Sequence, residues 1–199
     1  MKHLMKLSMV IGIIGFCFFA MGDIPIAHAM QSDDTIRCGD FGYSLNADGT
    51  CNLEYYYGKG GTVSVPAKLD GHAVYQVNKA CFSKALSFNS WTVNDTIKRL
   101  ILPEGLKGIN DGAVYCKNLE YISIPASLKT VDDYGFFVYG TTTEFYVNPG
   151  NQYFCSYEKG LFSKDMTKLY KGYLTDADYS VPGTVEVICG WAFSDCGDR

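Results

Sequence analysis

From Gly60 onward, apolar and polar residues alternate in five short runs, at 62–66, 99–103, 121–125, 144–148 and 178–182, each halted at once by Pro or Asn. Period two puts Val63 and Val65, or Ile122 and Ile124, on one buried face of a strand. Proline ends such a run because it has no N–H to give to a ladder bond. The pattern therefore predicts short strands with hard stops.

The spacing behind each stop repeats. Pro103, Pro125 and Pro182 are followed at +3 by Leu106, Leu128 and Val185, at +6 by Ile109, Val131 and Ile188, and at +11 by Val114, Phe136 and Phe193. Val74, Val77 and Phe82 keep the same internal offsets, displaced from Pro66 because Asp70-Gly71 inserts a turn. A small residue (Cys81, Ala113, Gly135 or Ala192) precedes the last position each time. None of these units can bury its apolar face alone, so copies of one template must stack. The prediction is a mostly β solenoid of short parallel strands.

Three segments depart from the repeat. Residues 30–61 read as an amino-terminal β-hairpin cap, in which Phe41, Tyr43 and Leu45 alternate, then Cys51, Leu53, Tyr55 and Tyr57, around Asn46-Ala47-Asp48-Gly49. In that register Phe41 faces Tyr55, and an extended chain carries Cys38 about 20 Å from Cys51 at about 3.4 Å per residue. Within the solenoid, 62–199, residues 83–98 with Phe88 and Trp91 leave the coil as a loop. Residues 149–177 hold a hairpin insert near the carboxyl end, with Leu161-Phe162 opposite Leu169-Tyr170. The last unit stops at Arg199 without a visible polar cap. Either the chain is the amino-terminal piece of a longer repeat protein, or its open end pairs with another copy; in both cases the residues after Pro182 form the least stable unit.

The amino terminus changes the compartment. Lys2 and Lys6 precede the apolar run from Leu7 to Met21, and Ala27-His28-Ala29 follows, which predicts a signal peptide over 1–29 and a secreted or cell-surface product. No second apolar stretch approaches the roughly twenty residues of a membrane span. Of the eight cysteines Cys17 falls in the leader, so an odd number remains and at least one thiol is unpaired or bonds another chain. Cys81, Cys116 and Cys196 lie at or beside small-residue positions and read as buried packing. With 15 Tyr, 21 Gly, 19% charged side chains and a net charge of -4, the chain has no basic footprint for nucleic acid.

Stretches such as Asn118-Leu119-Glu120-Tyr121-Ile122-Ser123-Ile124-Pro125 and Ile188-Cys189-Gly190-Trp191-Ala192-Phe193 resemble the repeat of BspA-like leucine-rich repeat proteins. Residues 40–82 are similar to that family's opening unit, and 148–182 to its hairpin-containing insert. The resemblance implies a bacterial secreted or surface protein, linked to adhesion or to binding host or matrix proteins. It brings no catalytic motif.

Read residue by residue, the chemistry is sparse. His72, the one histidine after the leader, falls in the Asp70-Gly71 turn and reads as solvated; nothing pairs it with a nucleophile. The cysteine spacing does not suit zinc, and Gly58-Lys59-Gly60-Gly61 precedes a strand, not a helix, so it reads as a turn and not a phosphate loop. No cofactor or metal is called for. Asp132-Asp133 and Asp176 with Asp178 are the carboxylate pairs, both read as solvated edges. The outward strand positions form two columns: Thr62, Arg99, Tyr121, Glu144 and Asp178, and Ser64, Ile101, Ser123, Tyr146 and Ser180. Arg99, Ile101, Tyr121 and Tyr146, with Trp91 on the inserted loop, are the candidate ligand contacts, since aromatics and Arg are enriched at interface anchors. The expected function is non-enzymatic: recognition of a protein or glycan, from a host or matrix, through the stacked strand face. The alternatives are a parallel β-helix enzyme acting on polysaccharide and a passive spacer.

Overall fold

A computed structural model describes residues 34–87, 90–138, 143–172 and 180–193. The predicted leader, Cys17, Phe88, Asp176, Asp178 and Cys196 lie outside these residues. The chain opens with β1 (Ile36–Cys38), β2 (Phe41–Leu45) and β3 (Cys51–Tyr56), then enters the first coil through β4 (Gly61–Ser64), β5 (Lys68–Leu69) and β6 (His72–Val77). A hairpin of β7 (Lys84–Ser87) and β8 (Ser90–Thr92) follows. The next coils run β9 (Ile97–Ile101), β10 (Gly108–Ile109), β11 (Val114–Cys116) and β12 (Tyr121–Ile124), β13 (Thr130–Val131), β14 (Phe136–Val138). Then come β15 (Glu144–Val147), β16 (Phe154–Tyr157), β17 (Gly160–Ser163), β18 (Lys168–Lys171) and β19 (Val187–Ile188).

The coils stack through three sets of parallel strands. One is the four-stranded sheet β15-β12-β9-β4, a second holds β6, β10 and β13, and a third pairs β11 with β14. Along the first, each Pro stop lets the chain turn inward, and the template positions fill the space between the sheets. Leu100, Leu106, Val114, Ile122, Ile124 and Leu128 are fully buried in one continuous core. Phe136 meets Phe145 edge to face at 5.2 Å and 82°, which ties the third coil to the fourth. This is a leucine-rich β-solenoid.

The cap closes the first coil because β3 pairs in parallel with β6, Leu53 beside Val77. Three details differ from the sequence expectation. A bulge between Gly42 and Tyr43 shifts the register, so Phe41 lies opposite Tyr56, whose ring contacts Phe41 and Phe82. Leu45, at the hairpin tip, is exposed. The chain before the hairpin does not run on extended: it reverses at Gly39-Asp40, and β1 adds to β2 with Cys38 opposite Phe41. Gly39, at a φ of +59°, permits that reversal.

The two inserts are also more ordered than expected. The segment expected as a loop over 83–98 folds as the β7–β8 hairpin, and β9 starts at Ile97, inside the expected loop. The second insert is a three-stranded antiparallel meander, β16-β17-β18, rather than one hairpin. Its first turn holds Glu158 and Lys159 at φ of 42° and 67°, the left-handed pair that a two-residue hairpin turn requires. Buried Asn151 moors the meander: its amide donates to the Pro125 and Leu128 carbonyls at 2.8 and 3.1 Å, and its Oδ1 accepts from the Tyr153 and Phe154 amides.

β18 passes the stack on to β19, with Leu169 beside Ile188. Here the template is buried only in part: Ala192 is buried and Val185 and Phe193 are half-buried. Ile188 is 53% exposed, whereas Ile109 and Val131 at the same repeat position are 1% and 8% exposed. The amide of Cys189, although bonded to the Leu169 carbonyl at 2.9 Å, is therefore expected to exchange hydrogen much faster than those of Ile122 and Ile124. Equal protection, measured by native-state exchange on a proven monomer, would contradict this.

Candidate functional site

The outward face of β4, β9, β12 and β15 carries the candidate residues in the expected order. Thr62, Arg99, Tyr121 and Glu144 are successive cross-strand neighbours, and so are Ser64, Ile101, Ser123 and Tyr146. Parallel register puts equivalent side chains about 5 Å apart along the stack, close enough for large ones to touch. The Arg99 guanidinium carbon stands 4.1 Å from the centre of the Tyr121 ring. On the next strand, the Tyr146 ring lies 6.4 Å from that of Tyr121 at an interplanar angle of 19°. Arg99 and Tyr146 are exposed, Tyr121 and Ile101 half-buried. Beside the row, Lys98 pairs with Glu120 at 2.8 Å.

Trp91 does not join this row in the backbone: it lies on β8 opposite Ala85, in a separate two-stranded sheet, and its side chain is outside what is described. A second aromatic row lies outside the columns that the repeat predicts. Tyr115, Phe137 and Trp191 succeed one another at ring distances of 4.9 and 4.8 Å. The signal was there in Val114-Tyr115-Cys116 and Phe136-Phe137-Val138, where the middle residue points away from a buried pair.

The other chemical groups have structural employment. Asp133 accepts a charged hydrogen bond from Lys168 at 2.8 Å, and Asp132 accepts the Asp111 amide at 3.1 Å. His72 is not simply solvated: its Nδ1 lies 2.9 Å from the Gly49 carbonyl and its ring 6.2 Å from Tyr43, so it ties the first coil to the cap turn. Burial raises the thiol pKa of Cys51, Cys81, Cys116 and Cys155, and pushes Cys189 up to about 11. Cys38 is raised chiefly by its hydrogen bond to the Asp70 carboxylate. These are the environments of inert thiols, not of thiolate nucleophiles. Among the described residues no cluster of three His, Cys, Asp or Glu side chains suits a metal ion, and no helix is long and apolar enough to cross a membrane.

Stacked coils, buried template positions and short parallel strands define a leucine-rich repeat protein. The chain belongs to the family described as BspA type leucine-rich repeat region, whose model matches six copies over residues 71–198. No curated protein matches the sequence. Among solved structures, the pneumococcal vaccine antigen PcpA is similar, at 16% identity and a TM-score of 0.37, over 80% of this chain and 61% of that one. A leucine-rich repeat protein from Eubacterium ventriosum is similar at 16% identity and a TM-score of 0.42, over 79% and 55%. The leucine-rich repeat protein of T. pallidum gives 18% identity and a TM-score of 0.33, over 77% and 81%. This chain thus spans 61% and 55% of the first two.

Proposed function

We propose that this protein is an exported or surface-held recognition module that binds a macromolecular ligand, protein or glycan, through the face formed by β4, β9, β12 and β15. The observation that carries this reading is the outward row of Arg99, Tyr121 and Tyr146, its two ends exposed, on a parallel sheet. Large side chains on an outward face do little for the core, which is already filled by Leu100, Ile122 and Phe145 beneath them. Held by stacking, they form a pre-ordered contact surface that loses little side-chain freedom on binding. Export rests on the leader pattern over residues 1–29 and on the secreted or surface location that membership of the BspA-type family implies. What weighs against the polysaccharide-enzyme alternative is that the carboxylates of Asp132 and Asp133 already accept hydrogen bonds, from the Asp111 amide and from Lys168.

The test is an array of matrix proteins and glycans. Replacing Tyr121 and Tyr146 together with Ser is expected to weaken binding of any captured ligand by more than tenfold while the melting temperature changes little, because neither ring fills the core. Unchanged affinity in the folded double variant would move the site off this face, and release of reducing sugar from an acidic polysaccharide would favour the enzyme.

A further inference from the structure

The strand face has a polarity that narrows its ligand, an inference that rests on the reading of this face as the binding surface. Arg99 from β9 covers one face of the Tyr121 ring, and on the other side the Tyr146 ring from β15 lies near-parallel but offset, 6.4 Å away centre to centre. A sugar ring that stacks on an aromatic needs an open aromatic face, and Arg99 already takes one face of the central ring of this row. Outward lie the exposed Tyr146 ring and the N–H edge of Arg99, with half-buried Tyr121 between them.

Arg99 is the unspent group. Among the described residues it makes no ion pair and donates no hydrogen bond, in contrast to its neighbour Lys98, whose charge is met by Glu120. A guanidinium carries five donors in a fixed plane, and stacking on Tyr121 holds that plane still without using them. The side of Arg99 away from Tyr121 is roomy, because its neighbour there is Thr62 on β4, exposed and small, with Ser64 further along the same strand. Glu144 stands two strands away on the far side of Tyr121, roughly 10 Å off at the spacing of neighbouring strands. Positive charge thus lies at the β4 and β9 end of the row and negative charge at the β15 end. The net charge of -4 gives no long-range attraction for an acidic partner, so its recognition is made by contact.

We propose that Arg99 is the anchor of this face and receives a carboxylate from an acidic segment of a partner protein, with the Thr62 hydroxyl and the Tyr121 edge on either side and half-buried Ile101 giving apolar contact. A planar guanidinium and a carboxylate form two parallel hydrogen bonds, the strongest match such a group has. A protein partner fits better than an acidic glycan because Arg99 already occupies a face of the central Tyr121 ring where a sugar would stack, and Tyr and Arg are side chains that anchor protein interfaces.

The full-length chain is titrated with a capped octaglutamate peptide, an octaglutamine peptide of equal length and an oligogalacturonate of equal charge, at about 50 and about 300 mM salt. Affinity is read by calorimetry and the Arg99 Nε–H signal by NMR. Octaglutamate is expected to shift that signal and to bind at least tenfold more tightly than octaglutamine, with a several-fold loss at the higher salt. Arg99→Gln should abolish the difference at an unchanged melting temperature, and Arg99→Lys should retain part of it. Equal affinity for the two peptides, undiminished octaglutamate binding by folded Arg99→Gln, or preference for the oligogalacturonate would each overturn the proposal. An array ligand lost on changing Tyr121 and Tyr146 but kept by Arg99→Gln would sink the acidic partner and leave the strand-face reading standing; one kept by all three variants would sink both.

Discussion

Phe136→Ala is expected to destabilise the protein by about 3–5 kcal/mol, the range for aromatic truncation in a packed core. Phe136 sits on β14 beside Val114 of the preceding coil and meets Phe145 edge to face, so its ring bridges three coils. The hole left by an alanine cannot close easily, because β14 is held by ladder bonds to β11 and the Gly135 amide is bonded to the Asp132 carbonyl at 2.9 Å. Cost rises with the volume a site cannot reclaim. In a solenoid the loss also uncouples neighbours, since each coil is stabilised mainly by the coils on either side. Urea denaturation followed by tyrosine fluorescence measures it, and a loss under about 1 kcal/mol would mean that Phe136 is not the core residue of its coil.

The position of Phe136 was legible because the template repeats. A buried column in a solenoid is written several times over, so Leu106, Leu128 and their partners identified one another by spacing alone. The outward columns came with it: once Ile122 and Ile124 face in, Tyr121 and Ser123 must face out, and parallel register then aligns Arg99, Tyr121 and Glu144. What the sequence concealed was written only once. The Gly42 bulge moves Tyr56 inward in place of Tyr55, and alternation carries no mark of an extra residue. The turn at Glu158-Lys159 lacks the Asn-Gly or Asp-Gly that announces left-handed backbone, so a three-stranded meander read as one hairpin. Ile188 fits the template in sequence but not in burial, because spacing names the residue and burial depends on what packs over it. The stacking of Arg99 on Tyr121 is a rotamer choice beyond any periodicity.

Gly60→Ala is expected to cost about 2–5 kcal/mol although it adds one methyl group at the surface end of a linker. Two separate penalties combine. Gly60 has a φ of +91°, where a Cβ costs about 1–2 kcal/mol against the backbone. It also passes so close to the residue before β9 that a Cβ would stand 2.6 Å from the Thr96 carbonyl carbon and overlap its side chain. Thr96 has no room to yield. The carboxamide oxygen of buried Asn94 accepts from its amide and its hydroxyl, both at 2.9 Å, and its own carbonyl accepts from Gly61 at 2.8 Å. Forcing a methyl into packed surroundings adds about 1–3 kcal/mol. Gly49→Ala is the internal control: φ is +82° in the cap turn but nothing lies within 4 Å of the added Cβ, so only the backbone penalty should appear. Denaturant melts of the two variants should therefore differ by at least about 1 kcal/mol. If they coincide, the linker does not cross Thr96 as closely as described, and the cap is joined to the first coil by a looser path.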